Sequence, residues 1–228
     1  MDKISLTPVT SEAQYEGRFT DFRFALLANP IPVYQSLLKH LAGDGATLDS
    51  LKLEATTLST ANISCSLVSL NTTVKVLIDR FEVSFLRLHE IGEQRAVSVL
   101  LKSWGALKEI DPSLVLAEHV VLTTVCGLIK DVRYDTLMQR YVAAASVLGD
   151  NTKAGVVFYL PEDEAIGQRA GSIVLDRLGT HEQAVILKLN TGFSAKQVPL
   201  EALPQRFDEY VTNNLDRLGI MLNREDIQ

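Results

Sequence analysis

The chain runs through one layout twice: a long strand, a helix, a set of strands and a closing helix over residues 13–111, then the same order over residues 115–220. Strands and helices in that order must bury their apolar sides against one another. They predict an α+β protein with a mostly antiparallel sheet and covering helices. A length of 228 residues suffices for one large domain or for two intimate ones, each with a core of its own. We therefore expect two halves, residues 1–112 and 113–228, packed together as one pseudo-symmetric globule.

The repeat is carried by spacing. Val33, Tyr34, Leu37, Leu38 and Leu41 recur at helical intervals until Gly43, and Tyr134, Leu137, Met138 and Tyr141 follow the last four of them 100 residues later. The first closing helix, Glu93–Ile110, is predicted to bury Val97, Leu100, Leu101, Trp104 and Leu107, and Asp111-Pro112 stops it. Leu200, Leu203, Phe207 and Tyr210 stand 103 residues after four of these, in a final helix over 199–218. Any two amphipathic helices can be slid into such agreement, so the order of elements is firmer than a true duplication.

Between the helices, apolar residues alternate at Leu51, Leu53 and Ala55, at Ile63, Cys65 and Leu67, at Val74, Val76 and Ile78, and at Phe81, Val83 and Phe85. These predict a meander covered on one face. The second half repeats the pattern at Val156, Phe158 and Leu160, at Ile173 and Leu175, and at Val185, Leu187 and Leu189. Each half opens on a long strand. The first is read over 15–26, where Tyr15 and Phe19 share one parity and Phe22, Phe24 and Leu26 the other, with a bulge near Thr20-Asp21 to reconcile them. The second, over 118–129, is so nearly continuous in apolar residues that it predicts a central strand buried on both faces.

This layout is similar to that of folds in which a curved sheet grips a long helix, the tandem TATA-binding proteins and the single-domain lipid-binding START proteins among them. The helix-grip resemblance is one of topology alone. No residue motif of either family is present, so none of their functional residues carries over.

Chemistry is sparse. The histidines are His40, His89, His119 and His181, and no pair has the spacing of a zinc site. His89-Glu90, Glu118-His119 and His181-Glu182 set an imidazole beside a carboxylate, but neighbours on a strand point to opposite faces and make no dyad. All four are read as surface or strand-end residues. No Gly-x-Ser-x-Gly elbow and no glycine-rich phosphate loop occurs. Gly43-Asp44-Gly45 reads as a helix stop, Gly149-Asp150-Asn151 as a turn, and the acidic run Glu162-Asp163-Glu164 as a solvated loop. No catalytic, cofactor-binding or metal-binding residue is assigned.

A formal net charge of −6, spread over both halves with no Lys/Arg cluster, argues against nucleic acid. Tyr15, Phe19, Phe22 and Phe24 beside Arg18 and Arg23 are better explained as core with arginines outside than as a base-stacking surface. The longest apolar stretch, 120–129, is half of a membrane span. The first residues lack a secretion signal, so the chain is expected in the cytoplasm and its two Asn-x-Ser/Thr sequons are read as chance. Cys65 and Cys126 read as buried free thiols. The sequence thus favours a non-catalytic protein-interaction or assembly module, its partner another protein or a second copy. The alternative is a carrier or sensor that holds a small apolar ligand between sheet and helix.

Overall fold

A computed structural model describes residues 3–54, 57, 60–142, 155–179 and 181–223. In chain order the first half holds β1 (Ile4–Phe19), α1 (Phe24–Ala28), α2 (Pro30–Leu41), β2 (Leu51–Glu54), β3 (Asn62–Leu67), β4 (Thr72–Val76), β5 (Arg80–Phe85), α3 (Leu88–Ile91) and α4 (Glu93–Ile110). The remainder holds β6 (Leu116–Ile129), α5 (Tyr134–Met138), β7 (Val156–Leu160), β8 (Gly171–Arg177), β9 (Ala184–Ser194), α6 (Leu203–Arg217) and β10 (Ile220–Leu222). The protein is α+β, built on one ten-stranded sheet in the order β2-β3-β4-β5-β1-β6-β9-β8-β7, with β10 parallel to the start of β1.

The two long strands meet at the centre, antiparallel, with Tyr15 opposite Val121 and Gly17 opposite His119. All the other pairs along the main path are antiparallel too. The helices cover one face. On that side lie the odd positions Tyr15, Phe19, Phe81, Val83, Val121 and Leu187, all buried. Even positions of the same strands face the other way and include exposed Arg18, Leu122 and Lys188.

The meander β2 to β5 matches the sequence reading, but four expectations are corrected. The first strand does not run over 15–26: it starts at Ile4 and ends at Phe19, and Phe24–Ala28 is helical. An irregularity lies between Pro8 and Thr10, and the buried parity changes across that stretch, from Ile4 and Leu6 to Tyr15. That switch hides the early half of the strand from a period-two search. Phe22 and Phe24 are accordingly not core but 66% and 50% exposed, tilted against each other at 6.0 Å.

The strand at 118–129 is central but not buried on both faces, because no described helix covers the second one. Leu122 and Leu128 stay exposed there. Finally, α4 is rotated from its expected face. Its buried residues are Ala96, Val99, Leu100, Ser103, Ala106 and Leu107, while Val97, Leu101 and Trp104 are half-buried. Small side chains explain the rotation: Ser103 and Ala106 let α2 close on α4, and Ser36 Oγ donates to the Ala106 carbonyl at 2.9 Å.

Trp104 stacks on Phe81 at 5.6 Å, and Phe81 packs on Tyr15 at 5.3 Å. Gly17 makes room for this stack. A Cβ there would lie 2.5 Å from the Phe81 ring and 2.6 Å from the Tyr15 hydroxyl. The readings at Ala55 and Gly149-Asp150-Asn151 lie outside the described residues. No described helix is long and apolar enough to cross a membrane.

Candidate functional site

Sheets packed under helices leave a gap wherever two covering helices do not touch, and here that gap falls over the central strands. The helices α4 and α6 lie on the same face and form two walls. Ala13, Tyr15, Val121 and Thr123 floor the inner part, between Val97 and Leu100 of α4 and Leu203 and Phe207 of α6. This part holds about 480 Å³. It continues into an outer part of about 790 Å³ that shares Thr123, Phe207 and Val211 and reaches Val125, Leu189 and Leu222. Together they form an open trough with an apolar floor. Its rim is polar, with Glu93, Gln94 and Arg95 at the start of α4 and Asp208 on α6.

Each wall is fastened separately. Asp44, fully buried at its side chain, stands 2.7 Å from both Arg95 Nη2 and Lys102 Nζ, tying the chain after α2 to α4. At the other end of α4, Glu109 takes Lys39 Nζ and His40 Nε2 at 2.7 Å each. The α6 wall relies mainly on neutral groups, beside one exposed ion pair in which Lys3 Nζ lies 2.8 Å from Asp216. His119 Nε2 lies 2.9 Å from the Val198 carbonyl just before α6, and its Nδ1 lies 2.8 Å from the Tyr15 hydroxyl. A carbonyl can only accept, so Nε2 carries the proton and Nδ1 accepts from Tyr15. Tyr210 donates to the Asn190 carbonyl at 3.3 Å, and Tyr141 donates to the Leu218 carbonyl at 2.6 Å.

Burial sets the electrostatics beneath the floor. It pushes the His119 imidazolium below its ordinary range, partly offset by the Val198 hydrogen bond and by Glu201. It pushes the Tyr15 phenol far up, so neither member of this pair is poised to give or take a proton near neutrality. His119 is therefore a buried neutral linker and not the surface histidine expected from sequence.

The remaining histidines bear on catalysis as follows. His40 reaches Glu109 on the outer side of α2 and α4, and His181 accepts from the Gln183 amide in a turn. His89 lines the outer trough, with its Nδ1 taking the Ser11 amide at 3.1 Å. Glu118 and His119 point to opposite faces, as strand geometry requires. Among the described residues, no group of three or more His, Cys, Asp or Glu side chains is placed to hold a metal ion.

Arginines of the second sheet face stand beside carboxylates. Arg18 lies 3.0 Å from Glu118 and 3.4 Å from Glu16, Arg80 lies 2.7 Å from Glu82, and Arg169 pairs with Glu162 of the acidic run. The two thiols lie on opposite faces, Cys65 under the helices and Cys126 on the second face. Burial raises the Cys65 thiol to about 11.

The sequence anticipated Phe207, Leu100 and Leu203 as helix-face residues, and a space between sheet and helix, but not a gap between α4 and α6. It missed Asp44, whose role depends on cations 51 and 58 positions later. It also missed β10, although Gly219, with φ of +69°, turns the chain into Ile-Met-Leu. Comparison with known proteins finds no family model and no curated protein that matches this chain, so the trough stands on its own geometry.

Proposed function

We propose that this protein is a non-catalytic interaction module of the cytoplasm whose partner, another protein, seats in the trough between α4 and α6. One observation carries the reading: a trough opens over the junction of the two central strands, its inner floor apolar at Ala13, Tyr15 and Val121 and bordered by Glu93 and Asp208. That is the anatomy of a recognition surface, an apolar centre inside a polar border. Half-buried Phe207 and Val97 offer the kind of anchor contact that dominates binding at such centres. Thiols on opposite faces of the sheet fit a reducing compartment.

The carrier reading has its own observation. The inner part, about 480 Å³ in volume, is of the size that encloses a small apolar molecule. Trp104 stacks on Phe81, so a ligand between sheet and helix would sit against Phe207. Native mass spectrometry of protein purified gently from its own host separates the two. A larger stoichiometric complex supports the interaction module. A mass of 25.1 kDa plus a few hundred daltons transfers the site to a carrier, and a bare 25.1 kDa monomer overturns both.

A further inference from the structure

We propose that a second copy of this chain pairs with β7, antiparallel and about a two-fold axis, so that two ten-stranded sheets join edge to edge. This contact lies apart from the trough and goes beyond the interaction reading. The first argument concerns the margins of the sheet. Among the described residues three strands are paired with one neighbour only: β2 with β3, β10 with β1 and β7 with β8. Such an edge offers N–H and C=O groups to any other strand, and proteins blunt it with charge, proline or brevity. β2 carries Lys52 and Glu54 within four residues, and β10 is three residues long. β7, Val-Val-Phe-Tyr-Leu over 156–160, has no such device. It holds no charge, proline or glycine, and Val, Phe and Tyr are strand formers.

Its side chains are incompletely covered on both faces. On the helix side Val156, Phe158 and Leu160 are half-buried, whereas Leu175 and Ile173, directly opposite the first two on β8, are 1% exposed. Phe158 meets Tyr141 edge-on at 5.5 Å and leaves its outer flank open. On the second face Val157 is 46% and Tyr159 82% exposed. One more strand alongside would cover both sets.

Self-complementarity selects a second copy as the occupant. With Phe158 on the axis, antiparallel pairing sets Val157 opposite the partner's Tyr159 and Tyr159 opposite the partner's Val157, both on the exposed second face. Val156 then meets the partner's Leu160 on the helix side. Pairs of aromatic and β-branched side chains are among those that stabilise neighbouring strands. No charge on β7 repels its twin, and none is present to select a foreign strand. Both copies use the same patch, so the contact closes as a pair and does not propagate. Five residues give about 17 Å of strand, a contact smaller than a full-size interface, so the pair forms at raised concentration.

The test is sedimentation equilibrium of the intact protein from about 5 to about 500 µM, a range that covers the weak affinities of small contacts. The parent should pass from 25.1 kDa towards twice that mass. Val157→Lys/Tyr159→Lys sets Lys opposite Lys twice and should weaken association about tenfold, as should Val157→Glu/Tyr159→Glu. Mixed together, these two variants should associate at least as well as the parent, because each Lys then faces a Glu. Both positions are exposed, so each variant should keep the parent's circular dichroism melt at the lowest concentration. If one melts early, hydrogen exchange on the parent decides: amides of Val156–Leu160 should slow at the highest concentration and those of Leu51–Glu54 should not. A monomer throughout, a dimer indifferent to the β7 charges, or Lys and Glu variants that do not recover together overturns the proposal. A dimer lost on Phe207→Asp instead moves the second copy to the trough and overturns it too. None of these results replaces the native mass spectrometry that tests the trough.

Discussion

The two walls of the trough face each other across the same strands, yet the balance of ionic and neutral fastening differs between them. α4 is tied to the α2 segment mainly by ions, with Asp44 between Arg95 and Lys102 at one end and Glu109 between Lys39 and His40 at the other, beside the buried Ser36–Ala106 hydrogen bond. α6 and its flanks are tied mainly by neutral hydrogen bonds that end on backbone carbonyls, His119 to Val198, Tyr210 to Asn190 and Tyr141 to Leu218, with one exposed ion pair between Lys3 and Asp216. Ion pairs tolerate small shifts and weaken with salt, whereas neutral bonds to carbonyls are directional and fix position. The α6 wall is thus set in register by the sheet beneath it, and the α4 wall is held by its neighbouring helix.

The largest effect should come from breaking the ionic side at its buried centre. Asp44→Ala leaves Arg95 and Lys102 without their shared carboxylate, but these cations are 47% and 39% exposed and can rehydrate. That places the loss at about 2–3 kcal/mol, below the 3–5 expected for fully buried partners, measured by urea unfolding. A loss near zero would show that α2 packing alone holds this wall.

On the neutral side, Tyr15→Phe strands the His119 Nδ1 acceptor in the core, where an unmade bond costs about 1–2 kcal/mol. Hydrogen exchange should quicken in α6 more than in α4. Equal quickening would mean that the walls are not separately fastened.

The same histidine predicts a pH dependence that sharpens the contrast. Its folded pKa lies below the unfolded value of about 6.5, so below that pH the unfolded chain binds a proton that the native chain refuses. Stability should fall as pH drops through about 6.5, with a slope approaching 1.4 kcal/mol per pH unit from this group until the native imidazole itself titrates. His119→Gln should flatten that stretch of the stability curve. An unchanged slope would assign the dependence to other groups.

The smallest effect belongs to Glu109→Gln. Lys39 and His40 hold the Glu109 carboxyl below its ordinary range, but the site is exposed and salt-screened. Its unfolding midpoint at physiological salt should match the parent, and a clear shift would reveal an outer anchor as strong as Asp44.

Sequence was a good guide wherever one periodicity ruled a segment. Val74, Val76, Phe81 and Val83 announced their strands, and α4 begins and ends at the residues read from its spacing and from Asp111-Pro112. It failed where two environments share one segment. The irregularity between Pro8 and Thr10 interrupts β1, and the apolar run at 118–129 keeps Leu122 and Leu128 on an uncovered face. The trough was expected only as a space between sheet and helix. Its lining joins residues more than 100 positions apart, and a gap between helices depends on how far apart they settle, which no local pattern encodes.

The pairing of β1 has a consequence for the order in which the protein assembles. The first strand of the chain is a central strand of the sheet, yet one neighbour, β6, comes about a hundred residues later, and Ile4 waits for Ile220. Only the meander up to β5 can close on it early. Loops of that length must be ordered before their contacts stabilise anything, which marks this topology as a slow folder. During synthesis, the apolar side of β1 near Ile4 and Leu6 has to be kept from other chains until the rest of the sheet arrives.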